Sequence, residues 1–358
     1  MLTSDIKDYF FTLIRMGIGH ATYSHAYSID WEAIESLAAK HGLSAILVDG
    51  IGRLPESHRP PKPILLQWIG DVLQGYEYRY DLYCQVIAEI ASWYNSHDFQ
   101  MMILKGYTCS LNWPKPEHRP CGDIDIWLFG KQKEADALLS KEKGLTIDNS
   151  HHHHTVFTWR DFMVENHYDF LNIHHHKSNV EIEAILKELG KDDTHYIELH
   201  GVKAYVPSPN LHSLFLLRHS MSNFASTGFQ LRQLLDWGLF VEKHGKEIDW
   251  KWLEKVLEKY GMRKLYDVFN AICVEDLGFD AKIFPQVQFK PILKERVLND
   301  ILSPEFSEIE KGGFVRRAIY KYRRWKANAW KHELCFSESM WSAFWSGVKS
   351  HLLKPSSI

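Results

Sequence analysis

Two aspartates separated by one residue, in the stretch Arg119-Pro-Cys-Gly-Asp-Ile-Asp-Ile126, are the side chains best spaced to do chemistry. In a strand, alternate side chains point to opposite faces, so Asp123 and Asp125 share one face while Ile124 and Ile126 enter the core on the other. Two carboxylates held that close repel each other, and they persist at low cost only around a cation. Hard oxygen donors without nearby sulfur favour Mg²⁺ or Mn²⁺. Upstream, the apolar run Met101 to Leu104 ends at Lys105 and Gly106. This loop supplies a cation and backbone N–H groups for phosphate beside a metal-binding pair, and Arg119 adds a second cation.

A third carboxylate has two candidate sources. Glu165, in Met163-Val-Glu-Asn-His167, lies on a predicted strand with His167 on the same face. Glu181 and Glu183 lie in VEIEAILKEL, where Ile182, Ile185, Leu186 and Leu189 form a helical stripe that turns Glu183 toward solvent. Side-chain alternation favours Glu165. Further along, Arg232 and Asp236 stand four apart on one helix face, the spacing of an ordinary intrahelical ion pair, with His219 one helix earlier. Histidines are abundant, 21 in all, and cluster as His151 to His154 and His174 to His176. Strand neighbours point to opposite faces, so the first run cannot all reach one ion. His152 with His154, or His174 with His176, could add two ligands each, and a structural or solvent role is the expectation.

The pattern LKG followed by R-x-x-G-D-I-D-I resembles the signature of the nucleotidyltransferase superfamily with the polymerase-beta-like fold. It is most similar to the uncharacterised bacterial nucleotidyltransferase-like proteins, over about Trp31 to Gly278. The resemblance implies that Lys105 and Gly106 hold the triphosphate and that Asp123 and Asp125 hold two metal ions, Mg²⁺ or Mn²⁺. Glu165, in an element resembling the family's third-carboxylate strand, would complete the metal shell or take a proton. Arg119 matches the basic residue before the pair, and a helix carrying Arg232 and Asp236, preceded by His219, would close over the nucleotide. The implied reaction is metal-dependent transfer of a nucleoside monophosphate from an NTP to an acceptor: a small molecule such as a sugar phosphate or antibiotic, a protein side chain, or an RNA end. Tyr107 departs from the pattern, since the superfamily usually has Gly or Ser after the first Gly, and Ser110 is the candidate replacement. A catalytically degenerate nucleotide-binding or interaction module of the same fold is the alternative.

The elements that position these residues follow from periodicity. The first hundred residues read as helices, with Asp30 capping one that Gly42 stops and a longer pattern from Pro63 to Tyr94. Short strands at Met101–Leu104 and Ile124–Leu128, a helix over 131–143, a hairpin turning at Arg160-Asp161 and a helix over 179–189 make residues 98–206 an α/β core. Helices follow at 211–221, 230–243 and 250–260; the last repeats the Ile-Asp-Trp pattern of Ile29 and is read as the same capped helix used twice. The expected fold class is therefore α/β (α+β), a small mixed sheet with a helical subdomain before it (1–97) and after it (207–310).

The 358 residues are 45% hydrophobic and 24% charged, a globular composition large enough for several packed units. A net charge of −3 excludes a global drive toward nucleic acid. It hides a contrast, because residues 311–358 carry ten Lys or Arg against two Glu. Tyr320, Trp325, Trp330, Trp341 and Trp345 are interleaved there, suiting a tail that packs on the acidic body or meets an anionic surface such as RNA. Five scattered cysteines form no CxxC pair, and no stretch has the length or apolarity of a leader or membrane span. A reducing cytoplasm is the expected location.

Overall fold

The computed structural model describes residues 4–23, 29–174, 176–226, 228–286, 288–306 and 313–353. The amino-terminal helices are α1 (Ser4–Ile18), α2 (Trp31–Lys40), α3 (Ser44–Gly52), α4 (Lys62–Val72) and α5 (Arg79–Asn95), the last two joined by a π-helical stretch, Leu73–Tyr78. Asp30 caps α2 by accepting from the Ala33 N–H at 3.0 Å. Helices α1 and α3 cross at glycines, where a Cβ on Gly50 would lie 2.1 Å from the Leu13 carbonyl oxygen. Any side chain there would force the helices apart.

The α/β part contains β1 (Met102–Ile103), the short α6 (Tyr107–Ser110), β2 (Ile124–Trp127), α7 (Gln132–Lys143), β3 (His154–Trp159), β4 (Phe162–His167), α8 (Lys177–Lys191), β5 (Tyr196–Leu199) and β6 (Val202–Tyr205). Six strands form one mixed sheet in the order β3-β4-β2-β1-β6-β5. Strand β2 runs parallel to β4 and antiparallel to β1, and β1 runs parallel to β6. The β3–β4 hairpin turns at Arg160 and Asp161 as its sequence predicts, with Arg160 at φ 50°. The β5–β6 hairpin lies outside the strands that the sequence pattern predicts, because exposed Tyr196, Glu198 and Lys203 dilute its apolar signal.

Alternation sorts the sheet residues as the spacing requires. Ile103, Ile124, Ile126, Phe157 and Val164 join one apolar core with side chains of α5 and α7. Met102, Leu104 and Trp127 face the other way, into a larger core built from α8 and from α9 (Pro209–Ala225), α10 (Leu231–His244), α11 (Trp250–Lys259), α12 (Arg263–Glu275) and α13 (Pro291–Leu302). In α11 the Asp249 cap repeats that of α2, accepting from the Trp252 N–H at 3.0 Å. Side chains of α1, α2 and α3 belong to the same core, so helices from both ends of the chain share one apolar interior.

The carboxy-terminal tail forms α14 (Phe314–Ala327), α15 (Ala329–Cys335) and α16 (Met340–Leu353); residues 311, 312 and 354–358 lie outside the described residues. Leu334, Cys335 and Phe336 are buried in the larger core, and the fully buried Arg218 donates to the Cys335 carbonyl at 3.0 Å. Trp330 packs against that core, whereas Trp341 and Trp345 are 60% and 64% exposed. The packing expected of the tail aromatics therefore holds in α15 and not in α16. Among the described residues, no helix is long and apolar enough to cross a membrane.

Candidate active site

Strand β2 delivers Asp125 to the face opposite Ile124 and Ile126, and the carboxylate is 1% exposed. Its parallel neighbour β4 sets Glu165 directly beside it in register, so both side chains leave the same face. His167, two residues on, shares that face: its Nε2 lies 3.0 Å from Asp125 Oδ1 and 3.5 Å from Glu165 Oε2. Ligand atoms of Asp125, Glu165 and His167 all fall within 4.8 Å of one another. Asp123 precedes β2 at its edge, held by a hydrogen bond from the Tyr83 hydroxyl to its carbonyl at 2.9 Å.

The Leu104 N–H donates to the Asp125 carbonyl at 2.9 Å, which sets Lys105 next to the aspartate. The Lys105 ammonium lies 2.6 Å from Asp125 Oδ1. Gly106 follows at φ 72°, and a Cβ there would come within 2.9 Å of the Tyr83 hydroxyl, so both conformation and space call for glycine. Ser110 does not share the site. Its hydroxyl donates to the Tyr107 carbonyl at 2.6 Å and lies 2.9 Å from the Tyr80 hydroxyl.

The other wall comes from α9, α10 and the loop before β2. A cavity of about 340 Å³ is lined by Lys105, Gly106, Arg119, Asp123, Asp125, His219, Arg232 and Asp236, bringing together most of the residues singled out by sequence. Asn223, Gln230 and Gln233 also line it, outside the residues singled out by sequence. The two glutamines form the capping box at the start of α10, a signal readable from their i, i+3 spacing.

Pairing within the cavity wall differs from the helical spacing. Asp236 binds Arg119 rather than Arg232, in a bidentate pair with Nε–Oδ1 at 2.8 Å and Nη2–Oδ2 at 2.9 Å, and it also accepts from Trp113 Nε1. Arg232 is left with the Pro120 carbonyl at 3.3 Å and the Gln230 side chain at 3.0 Å, and its Nε is buried without a hydrogen-bond partner. His219 Nε2 lies 3.1 Å from the Asn223 side-chain nitrogen.

Glu183 is also not as its helical stripe suggests. It is buried, and its two carboxylate oxygens accept the N–H groups of Phe170 and Leu171 at 3.0 and 2.9 Å, fixing the turn after β4. Burial pushes its carboxyl up to about 7.

The histidine run is corrected in a similar way. His153 precedes β3 instead of lying in it, so strand alternation does not govern it, and ring nitrogens of His153, His154 and His167 lie within 4.8 Å of one another. His176 stacks on Phe336 at 3.6 Å, and His175 lies outside the described residues.

The electrostatics separate the two aspartates. Burial alone would raise the Asp125 carboxyl, but Lys105 and His167 hold it far below the usual range. Asp123 is raised, first by the negative charge of Asp125 and then by burial. Burial opposes protonation of His167, yet its contacts with Asp125 and Glu165 push it up to about 9. Burial lowers His219 to about 3, with Lys105 adding to the effect. Arg232 is lowered by burial and by the charge of Arg119.

The donor set fits a hard divalent cation. Asp125 Oδ2 is buried with no hydrogen-bond partner, and a buried anionic oxygen in that state calls for a positive ligand. Asp123 lines the same cavity as Asp125, and Glu165 offers a ligand atom within 4.8 Å of one from Asp125, so two further carboxylates stand near the one that carries the unsatisfied oxygen.

Comparison with known proteins bears on what such a cavity serves. No curated protein matches the chain. Among solved structures, an antigenic nucleotidyltransferase-like protein from Paracoccidioides brasiliensis is similar at 15% identity and a TM-score of 0.33, covering 44% of this chain and 75% of its own. Residues 27–277 match the profile of a family described as uncharacterised nucleotidyltransferase. That span contains both aspartates, Glu165 and every residue of the cavity wall, and the chain belongs to this nucleotidyltransferase family.

Proposed function

We propose that the protein transfers a nucleoside monophosphate from an NTP to an acceptor, using divalent metal held by Asp123, Asp125 and Glu165. The observation that carries this reading is the unpartnered, buried Asp125 Oδ2 in a cavity that combines carboxylates with arginine and lysine. Bound Mg²⁺ or Mn²⁺ would neutralise the triphosphate oxygens and acidify the acceptor hydroxyl. Arg232, its Nε unbonded, and the amino terminus of α10 supply positive potential for phosphate oxygens. Lys105 balances the clustered carboxylates and reaches the cavity from their side. The Arg119–Asp236 pair braces the loop against α10, so Arg119 shapes the phosphate wall and leaves Arg232 to contact the ligand. Glu165 accepts the acceptor's proton or completes the metal shell.

The Lys105–Asp125 ion pair favours a second reading, a nucleotide-binding module that does not turn over, because one oxygen of the key carboxylate is already neutralised. Release of pyrophosphate from each of the four NTPs with Mg²⁺ or Mn²⁺, across small-molecule, protein and RNA acceptors, separates the two. Transfer predicts metal-dependent release that falls by at least two orders of magnitude in Glu165→Gln, about 3 kcal/mol at the barrier. Nucleotide binding without release under every metal and acceptor supports the second reading.

A further inference from the structure

We propose that His153, His154 and His167, with Glu165 beside them, form a binding site for a late first-row transition metal of the zinc class, next to the carboxylate site but chemically distinct from it. The three imidazoles converge from separate positions. His153 precedes β3, His154 opens it, and His167 closes β4 directly opposite His154. Ring centroids are 4.4 Å apart for His153 and His154, 5.2 Å for His154 and His167, and 5.4 Å for His153 and His167.

The nitrogens of His153 and His154 are poorly served by the protein. His154 is 6% exposed, yet neither of its ring nitrogens has a hydrogen-bond partner, and His153 Nδ1 is buried in the same condition. A buried polar group left unmatched is destabilising, so two adjacent imidazoles in this condition call for a ligand that takes their lone pairs. His167 is oriented for the same task. Its Nδ1 faces the Asp169 carbonyl at 3.2 Å, which can only accept, so Nδ1 carries hydrogen, and Nε2, now 3.0 Å from Asp125 Oδ1, is the nitrogen that would give up its proton and that contact to a metal ion. A backbone carbonyl on the far nitrogen is the usual support for a metal-bound histidine.

The fourth position has a donor too. Glu165 Oε1 lies 3.8 Å from His154 Nε2 and its Oε2 lies 3.5 Å from His167 Nε2. Zn–N bonds of about 2.0 Å in a tetrahedron place ligand atoms about 3.3 Å apart, so small side-chain rotations close the set. Imidazole nitrogens select zinc, cobalt, nickel or copper over magnesium, whereas the Asp123 side of the cavity offers oxygen alone. Glu165 can bridge the two sites, as carboxylates do between neighbouring ions.

Titration of the metal-stripped full-length protein with Co²⁺ tests this by the visible absorption of tetrahedral cobalt. The expected result is a band at one equivalent that Zn²⁺ abolishes and a thousandfold excess of Mg²⁺ leaves in place. His153→Ala and His154→Ala should each weaken Zn²⁺ binding about 100-fold or more, while His152→Ala, in the same run but outside the cluster, binds as wild type. His154→Gln keeps the buried volume and serves if the alanine variant unfolds. Absence of the band, its loss to Mg²⁺, or wild-type affinity in the His153 and His154 variants overturns the proposal. The titration contains no nucleotide, so its outcome is independent of the transfer reading.

Discussion

Asp123 and Asp125 are two residues apart and share one face, yet their surroundings give them opposite energetic roles. Asp125 carries the ion pair with Lys105 and the contact with His167, and all three are largely buried. Asn in its place leaves two cations without their counter-charge. We expect Asp125→Asn to lose about 3 kcal/mol or more of stability in metal-free buffer, as removal of one member of a buried pair does. Asp123 is held against the charge of its neighbour, so Asp123→Asn relieves repulsion and should keep or raise the melting temperature. Thermal unfolding of both variants in EDTA checks the contrast, and equal destabilisation would contradict it. The bare DxD spacing predicts the same relief for either substitution; Lys105 and His167 make the difference.

At the scale of elements, the loop between α6 and β2 decides where Arg119 points. His118 clamps that loop: its Nδ1 lies 2.6 Å from Asp49 on α3 and its Nε2 3.1 Å from Glu77 in the π-helical stretch. Burial disfavours the imidazolium, but the hydrogen bonds to Asp49 and Glu77 and the charge of Asp49 outweigh it and raise His118 above its ordinary value. A histidine whose folded value is raised adds stability fully present below the unfolded value near 6.5, and that stability is lost as pH climbs through the folded value. Stability should therefore decline as pH rises above about 6.5, with this part of the slope absent in His118→Gln. Denaturant unfolding of wild type and variant across that range measures it, and parallel profiles would refute the clamp. Arg119 should lose its orientation in the same variant and weaken nucleotide binding.

For the molecule as a whole, the core shared by both ends of the chain gives the tail two different functions. Helix α15 closes that core, supplies a carbonyl to buried Arg218 and binds Asp300 through Lys331 at 2.5 Å. Truncation after residue 312 removes Leu334 and Phe336 from the core, each worth roughly 1.5–3 kcal/mol, and takes an acceptor from the buried Arg218 guanidinium, so it should destabilise strongly or prevent folding. Truncation after Ser339 removes exposed Trp341 and Trp345 instead and should cost little stability. Melting temperatures of the two truncated chains decide this, and similar losses would show that α16 also packs.

Local periodicity was enough to define the chemistry-bearing face. Strand alternation sets Glu165 and His167 on one face of β4, while the parallel register of β2 and β4 aligns that face with Asp125, and the capped helices at Asp30 and Asp249 form where their side-chain signals lie. Alternation and capping are short-range effects, written in spacings of two to four residues. Partner choice was not written there. Asp236 reaches across 117 positions to Arg119 and ignores Arg232 on its own helix, because packing of α10 against the loop offers a bidentate geometry that the i, i+4 spacing cannot match. Glu183 turned inward because the turn after β4 presents two N–H groups needing an acceptor. His153 joins His154 and His167 because β3 begins only at His154, the last of the run, and the hairpin register brings β4 alongside. Which face a residue occupies follows from backbone period; which partner it meets there depends on the three-dimensional closure of distant segments.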